Sequence, residues 1–222
     1  MGFFSRFDSS FFTTALLSVI PILVCLTVHE LAHGVTAYAL GDDTAKRMGR
    51  LTLNPIKHID PFGFLVLLIA GFGWAKPVPV DMRRFRSPKF GMAITAIAGP
   101  LSNFLLTALI LLFQVPIIRL FLGGGVGGTV ARVLLITAQI SVFFGLFNLL
   151  PIPPLDGSKV LFSVLPDKQH YWLMRYERYG FFLLMGLVML GVTAEPMRNA
   201  MLAVFGWIED LTAGPSLFLF GR

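Results

Sequence analysis

Charged residues are scarce in this sequence of 222 residues. Asp, Glu, Lys and Arg make up 14% of it and hydrophobic residues 55%, whereas a soluble domain is usually about 25% charged. The mean hydropathy is +0.77. This composition excludes an ordinary soluble domain and predicts an integral membrane protein in a lipid bilayer. The length suits one compact bundle, so we expect a single domain over residues 1–222.

Cysteine is almost absent. Cys25 is the single cysteine, which excludes an internal disulfide, and its apolar surroundings predict a packing role. No repeat, low-complexity tract or linker divides the chain. The first ten residues do not resemble a cleaved signal peptide, because the apolar run that follows is too long and ends in no small-residue cleavage site.

The positive charges are unevenly distributed. The formal net charge is +6, which by itself would fit a nucleic-acid partner. The basic residues, however, cluster in short loops beside apolar spans, as the positive-inside rule describes. We therefore expect a multi-pass protein of the cell membrane and no nucleic-acid partner. The loop at 123–128 has few positive charges near it and is expected to face outward.

The sequence has four histidines, and two of them lie in the motif His29-Glu30-Leu31-Ala32-His33. Residues four apart share one face of a helix, so His29 and His33 can hold one metal ion between them. Glu30 is then placed to take a proton from a coordinated water. The alternative is a chance match in a surface helix. The surrounding apolar run at 11–40 argues against it, since ionisable residues inside a span are usually functional.

A third metal ligand is needed, because catalytic zinc usually takes three ligands from protein and keeps one position open. Asp156 is the best candidate among the acidic residues. It follows the proline-rich run at 151–154 and is followed by Gly157, in an apolar setting where a carboxylate needs a partner. Asp60 and Asp81 lie in basic loops and are more easily explained by ion pairs at the membrane surface.

Two further polar residues permit two interpretations each. His58 is either a structural histidine at an interface or an additional metal ligand, and the structural role is the more common. Asn103 makes either an interhelical hydrogen bond alone or a contact in the active site.

The apolar runs predict an all-α polytopic membrane protein with about five or six transmembrane or re-entrant helical segments. The run at 61–74 is too short for a comfortable crossing and has basic flanks on both sides, so we expect it to be re-entrant or tilted. The other predicted segments are 11–40 with a kink at Pro21, 90–118 with a break at Gly99-Pro100, 129–150, 179–192, and 197–222 as a last span or an interfacial helix.

Two stretches predict a small β hairpin or sheet near the cytoplasmic face. The residues at 51–53 alternate briefly before the turn signal Asn54-Pro55. The residues at 74–80 read as a strand in which Pro77 and Pro79 remove donors from one edge. Val78 and Val80 keep their backbone N–H donors on the other edge. That edge suits an extended peptide held by strand addition. A proline-rich surface turn is the alternative.

Taken together, the motifs resemble the site-2 protease family of intramembrane zinc metalloproteases, in its compact prokaryotic branch without PDZ or CBS domains. The resemblance covers about 11–192, and we expect 196–222 to be a peripheral C-terminal segment. It is carried by the motif at 29–33 and by the stretches at 50–55, 73–78, 99–103 and 148–157.

The resemblance implies the chemistry of the site. His29, His33 and Asp156 would bind one Zn²⁺ per chain, and Glu30 would be the general base. The substrates would be membrane-spanning proteins, cut in or near their transmembrane segments, with the active site towards the cytoplasmic side. The oligomeric state is left open. The residues implied in substrate or transition-state contacts are Asn148, Asn103, Trp74, Pro77, Val78 and Val80.

Two rival classes share part of this pattern. A membrane transporter or channel with a His/Asp metal site would also use broken helices and an ionic site within the membrane. Glu30 has no task in such a protein, and no inverted repeat is visible. A metal-stabilised scaffold without catalysis would have a closed site with four ligands.

Overall fold

A computed structural model describes residues 9–70, 73–121 and 126–220 of the chain. These residues are mostly helical. Two short 3-10 turns, Pro55–His58 and Met82–Arg84, separate some of the α-helices. The α-helices are α1 (Ser9–Ala39), α2 (Thr44–Arg47), α3 (Pro61–Ala70), α4 (Pro88–Phe121), α5 (Gly127–Asn148), α6 (Asp156–Ser163), α7 (Asp167–Met189) and α8 (Ala194–Phe220).

Three helices in the described residues are long and apolar enough to cross a membrane. They contain the spans Ser18–Ala39, Pro88–Phe121 and Gly127–Asn148. A fourth span is possible if Tyr179–Met189 and Ala194–Phe220, which meet at 87°, count as one. The chain is therefore a multi-pass membrane protein by length and composition. Helix α3 has ten residues and is roughly 15 Å long, about half of the hydrocarbon core.

The long helices continue through residues at which the sequence predicted a kink or a break. Helix α1 includes Pro21 and ends at Ala39, after which Gly41 adopts a φ of +105° that glycine tolerates best. Helix α4 continues through Gly99 and Pro100, so the break predicted there is wrong. A proline lacks only one backbone donor, and packing against neighbouring helices compensates for that loss.

Helix α4 lies at the centre of the bundle and contacts α1, α5, α6 and α8. Polar side chains join α4 to its neighbours. The Asn103 amide donates to the carbonyl of Cys25 on α1 and to Ser141 Oγ on α5. Thr107 Oγ donates to the carbonyl of Ala138 on α5. Such hydrogen bonds and small residues are what hold helices together in a bilayer, where burial of apolar surface contributes little.

Helix α8 contributes to the interior. Ile208 forms a buried cluster with Leu111 of α4 and with Ala138 and Val142 of α5. The segment that we expected to be peripheral therefore packs on two of the spanning helices. Its side chains facing them include Thr212 and Ser216, which are buried.

The predicted β hairpin is not present in the described residues. The stretch at 51–53 forms bends, and Asn54 then caps the 3-10 turn by accepting a hydrogen bond from the Ile56 N–H. The stretch at 74–80 is extended but makes a single antiparallel bridge, between Ala75 and Ile59. Prolines at 77 and 79 deny a ladder the donors that it needs, and side chains anchor this segment instead. The predicted outward loop at 123–128 lies largely outside the described residues.

Asp42 joins the end of α1 to the loop at 81–84. Its carboxylate is fully buried and accepts hydrogen bonds from the N–H groups of Asp81 and Thr44 and from the Thr44 hydroxyl. The side chain of the adjacent Asp43 is 41% exposed and pairs with Arg47 and Arg84. The two neighbouring aspartates therefore have different environments.

Replacing Asp42 by alanine is expected to lower the free energy of unfolding by about 2 kcal/mol or more, because several donors lose their acceptor in a buried place. The matched variant Asp43→Ala is expected to cost less than about 1 kcal/mol, since exposed ion pairs contribute little. Thermal unfolding of both variants in detergent measures the difference. Equal losses would contradict the structural role given to Asp42.

Candidate metal centre

Two histidines of α1 face the bundle interior one helical turn apart. The side chains of His29 and His33 are 4% and 11% exposed. Their rings meet edge to face with centroids 4.5 Å apart, and their Nε2 atoms are 3.0 Å apart. The helical repeat alone produces this pairing, as the sequence predicted.

Asp156 reaches the same point from the far end of the chain. It is the first residue of α6 and is 6% exposed. Its Oδ2 atom lies 3.1 Å from the Nε2 atoms of both histidines. Gly157 permits this approach, because a Cβ at that position would overlap the Leu149 carbonyl. The structure thus brings together the three residues predicted as ligands.

In a neutral imidazole ring, the hydrogen-bond partner of Nδ1 determines whether Nε2 carries the proton or a free lone pair. His29 Nδ1 is 2.8 Å from Asn103 Oδ1, and His33 Nδ1 is 2.7 Å from the Thr95 carbonyl. Both partners are acceptors, so both Nδ1 atoms carry the proton. The Asn103 orientation is set by its amide nitrogen, which donates to Cys25 and Ser141.

Two neutral Nε2 atoms and one carboxylate oxygen therefore face one another with lone pairs. Three acceptors at 3.0–3.1 Å repel each other unless a metal ion or a proton lies between them. Zinc with bonds of 2.0–2.1 Å separates its tetrahedral ligands by about 3.3 Å, close to these distances. The donor set of neutral imidazoles and a carboxylate thus fits one zinc ion.

Helix α4 packs closely against this cluster at Gly99. A Cβ added to Gly99 would lie 2.5 Å from His33 Nε2 and 2.6 Å from His29 Cε1. Contacts this short do not occur, so only glycine fits. Thr95, Gly99 and Asn103 are spaced by four residues and form the face of α4 that supports both rings.

Glu30 lies beside the cluster and is 9% exposed. Its Oε2 atom accepts a hydrogen bond of 2.7 Å from the Val78 N–H. The sequence predicted that the Val78 donor would be available to an incoming peptide, whereas in the structure this donor holds the Glu30 carboxylate. The extended segment at 74–80 is thus fastened to the residue next to the metal ligands.

Residues of the basic loop at 44–60 hold the rest of the segment at 74–80 in place. The buried Arg50 guanidinium donates to the carbonyls of Lys76 and Pro77 at 2.6 and 3.2 Å. The Lys76 N–H donates to the His58 carbonyl. His58 is fully buried, and its Nε2 lies 2.9 Å from the Thr52 carbonyl. His58 is therefore a structural histidine, and it is not in the three-residue cluster.

The acids set aside by the sequence analysis have local partners. Asp60 accepts a hydrogen bond from the Gly63 N–H at the start of α3. Asp81 pairs with Arg83 at 2.9 Å, and the hydrogen bonds from the Arg83 side chain and backbone lower the pKa of Asp81. Both stay outside the cluster.

The two asparagines predicted as substrate contacts have different surroundings. Asn148 lines the cavity described below and donates from Nδ2 to the Phe144 carbonyl of its own helix. Asn103 is completely buried behind His29, and its amide oxygen and nitrogen are both engaged. The side chain of Asn103 thus makes the interhelical hydrogen bonds that were one of its two interpretations, and its contact with substrate stays a prediction.

A cavity of about 690 Å³ opens onto the cluster. Its wall is largely apolar and aromatic, which suits a peptide with apolar side chains. Helices α1, α3, α4, α5 and α6 and the extended segment all contribute to it. Besides the three presumptive ligands, the lining includes Glu30, Asn148, Trp74, Pro77, Val78, Val80 and Lys159.

Four contributors escaped the sequence analysis. Thr95 acts through its backbone carbonyl, which has no signature in sequence. Arg50 and Asp42 anchor the extended segment from loops whose partners are distant in the chain. Lys159 could have been found from the sequence, because it lies three residues after Asp156 and therefore about one helical turn further along α6.

These features define the class of protein. Three side chains that suit one zinc ion lie together, with a glutamate alongside and an apolar cavity in front of them. Two of the three lie on a helix long and apolar enough to cross a membrane. These are the components of a membrane-embedded zinc metalloprotease.

Comparison with known proteins gives the same class. A family model described as peptidase family M50 matches residues 116–191. The chain is 42% identical to "Putative zinc metalloprotease YwhC" of Bacillus subtilis over 192 residues, which cover 82% of this chain and 85% of that protein. The chain belongs to peptidase family M50, the site-2 protease family, and is a zinc metalloprotease.

More distant relatives are mycobacterial. "Putative zinc metalloprotease Rip2" of Mycolicibacterium smegmatis is 30% identical over 75% of this chain and 64% of that protein. The protein of the same name from Mycobacterium tuberculosis strain H37Rv is 29% identical over 86% of this chain and 71% of its own length. No solved structure matches the chain.

Substituting Gly99 by alanine is expected to reduce zinc affinity by at least about tenfold, because the new methyl group displaces both imidazoles. Gly206→Ala is the matched control, since a Cβ there meets nothing within 4 Å. Metal content after purification, with competition against a zinc chelator, provides the measurement. Wild-type affinity in Gly99→Ala would show that α4 does not support the rings as described.

Proposed function

We propose that this protein is an intramembrane endopeptidase that cuts membrane-spanning proteins in or near their transmembrane segments. The observation that carries the proposal is the position of the cluster. His29 and His33 lie within Ser18–Ala39, a helix long and apolar enough to cross the membrane. Ionisable residues at such a place are costly and are retained for function.

His29, His33 and Asp156 are the proposed zinc ligands. Held by these three residues, a zinc ion would lower the pKa of a coordinated water towards neutrality and would polarise a carbonyl group. Asn103 Oδ1 and the Thr95 carbonyl accept hydrogen bonds from the Nδ1–H groups of His29 and His33, which favours the tautomers with free Nε2 lone pairs. We therefore assign Asn103 to the orientation of His29.

Glu30 is the proposed general base. The Val78 N–H holds its Oε2 atom, which fixes the plane of the carboxylate and leaves Oε1 to accept a proton from the attacking water and pass it to the leaving amine. A base that is already oriented loses little entropy when the substrate arrives.

The extended segment is the proposed substrate-binding element. A transmembrane helix has its amides in internal hydrogen bonds, so it has to unwind before its peptide bonds are accessible. An extended partner replaces the lost hydrogen bonds. Since the Val78 N–H is bonded to Glu30, we assign this pairing to the backbone of Val80, with Trp74 and Pro77 as apolar contacts in the cavity wall and Asn148 as a polar one.

The remaining proposals concern organisation and orientation. We propose one metalloprotease domain, to which α8 belongs through Ile208. The basic loops at 44–60 and 76–89 support a location of the metal centre towards the cytoplasmic side. The transporter alternative loses its support, because the family and the relatives are proteases.

Glu30→Gln is expected to lower cleavage of a single-span reporter by at least about 100-fold, since the general base is lost. Bound zinc is expected to remain, and the glutamine oxygen still accepts the Val78 N–H. Reporter cleavage in proteoliposomes and metal content are the two measurements. Glu195→Gln is the matched control, because Glu195 is exposed and pairs only locally with Arg198. Cleavage at the wild-type rate would remove Glu30 as the base.

The proposed orientation is testable by cysteine labelling. Cys25 is buried, so the wild-type chain is a low-background parent for Met48→Cys and Val126→Cys, both exposed positions. A membrane-impermeant maleimide is expected to label Val126→Cys in intact cells and Met48→Cys after lysis alone. The reverse pattern would place the metal centre towards the outside.

A further inference from the structure

Lys159 is a charged residue at the cluster for which the mechanism above has no task. It lies three residues after Asp156 on α6, and its Nζ atom is 3.1 Å from Asp156 Oδ1. Its side chain is 35% exposed and contributes to the cavity wall, while that of Asp156 is 8% exposed. The pair is therefore shielded on the aspartate side and open on the lysine side.

The two oxygens of Asp156 have different environments. Oδ2 faces both histidine Nε2 atoms at 3.1 Å, whereas Oδ1 faces the ammonium group of Lys159. A carboxylate can bind a metal ion through one oxygen or through both. A catalytic zinc with three protein ligands needs its fourth position open, and a second oxygen from Asp156 would compete for that position.

We propose that Lys159 is a positioning residue that holds Asp156 Oδ1 away from the metal, so that Asp156 binds through Oδ2 alone. This inference rests on the proposed function. An ordinary pair of this spacing on a helix surface contributes little, but here the ammonium sets the rotation of a buried carboxylate. The effect of removing the ammonium is therefore expected in the coordination number of the bound metal ion.

Lysine suits this task for a chemical reason. Its ammonium carries three donors and no acceptor, so one N–H holds Oδ1 while the others are directed into the cavity. An arginine in its place keeps a charged donor, whereas methionine keeps the length of the stem and removes the charge. The three residues therefore separate the effect of the charged hydrogen bond from that of packing.

Co²⁺ loading of the full-length protein in detergent tests the proposal without reference to cleavage. The visible absorption bands of Co²⁺ are strong in a four-coordinate site and weaken when a fifth ligand enters. We expect Lys159→Met to weaken the bands, because Oδ1 is then free to enter as a fifth ligand. Lys159→Arg is expected to retain the wild-type spectrum. Lys168→Met, at an exposed lysine of α7, is the matched control.

The outcomes are distinct. A Lys159→Met protein with the wild-type spectrum overturns the positioning role, and the metal centre stands. A wild-type protein that binds no Co²⁺ overturns the metal centre and this inference with it. Thermal unfolding reports whether each variant is folded. If Lys159→Met is not, Lys159→Gln takes its place, and a wild-type spectrum from that variant overturns the proposal equally.

Discussion

Mutual repulsion among three acceptor atoms is the constraint around which this bundle is organised. The Nε2 atoms of His29 and His33 and the Oδ2 atom of Asp156 converge to 3.0–3.1 Å in an apolar interior. Such a convergence is favourable when a metal ion or a proton lies between these atoms, and the donor set fits a zinc ion. The surrounding residues fix the tautomers and the ring orientations of the two histidines.

Helix α4 both joins its neighbouring helices and positions the side chains of the site. One stripe of its residues supports the histidines with a carbonyl from Thr95, a missing side chain at Gly99 and an amide from Asn103. The Asn103 amide also ties α1 and α5 to α4. In a bilayer, close contact and interhelical hydrogen bonds are the main sources of helix association. The contacts that assemble the helices are thus the same ones that orient the metal ligands.

The extended segment at 74–80 keeps its conformation without belonging to a sheet. Arg50 and Glu30 hold it through side chains, and Asp42 secures the residue that follows it. These anchors replace the ladder that a hairpin would have supplied. They also connect the segment to the proposed base, so the position of a bound peptide and the orientation of Glu30 depend on the same short stretch of backbone.

What the sequence determined by itself was mostly local. Composition identifies a membrane protein, and the helical repeat places His29, Glu30 and His33 together because it needs no information from the rest of the chain. Asp156, 127 residues from His29, was predictable because a carboxylate in an apolar loop requires a partner. The tertiary structure decided the remainder. Backbone groups such as the Val78 N–H and the Thr95 carbonyl have no signature in sequence, and the continuity of α4 through Pro100 and the absence of the hairpin depend on packing and on side-chain anchors that come together only in the folded chain.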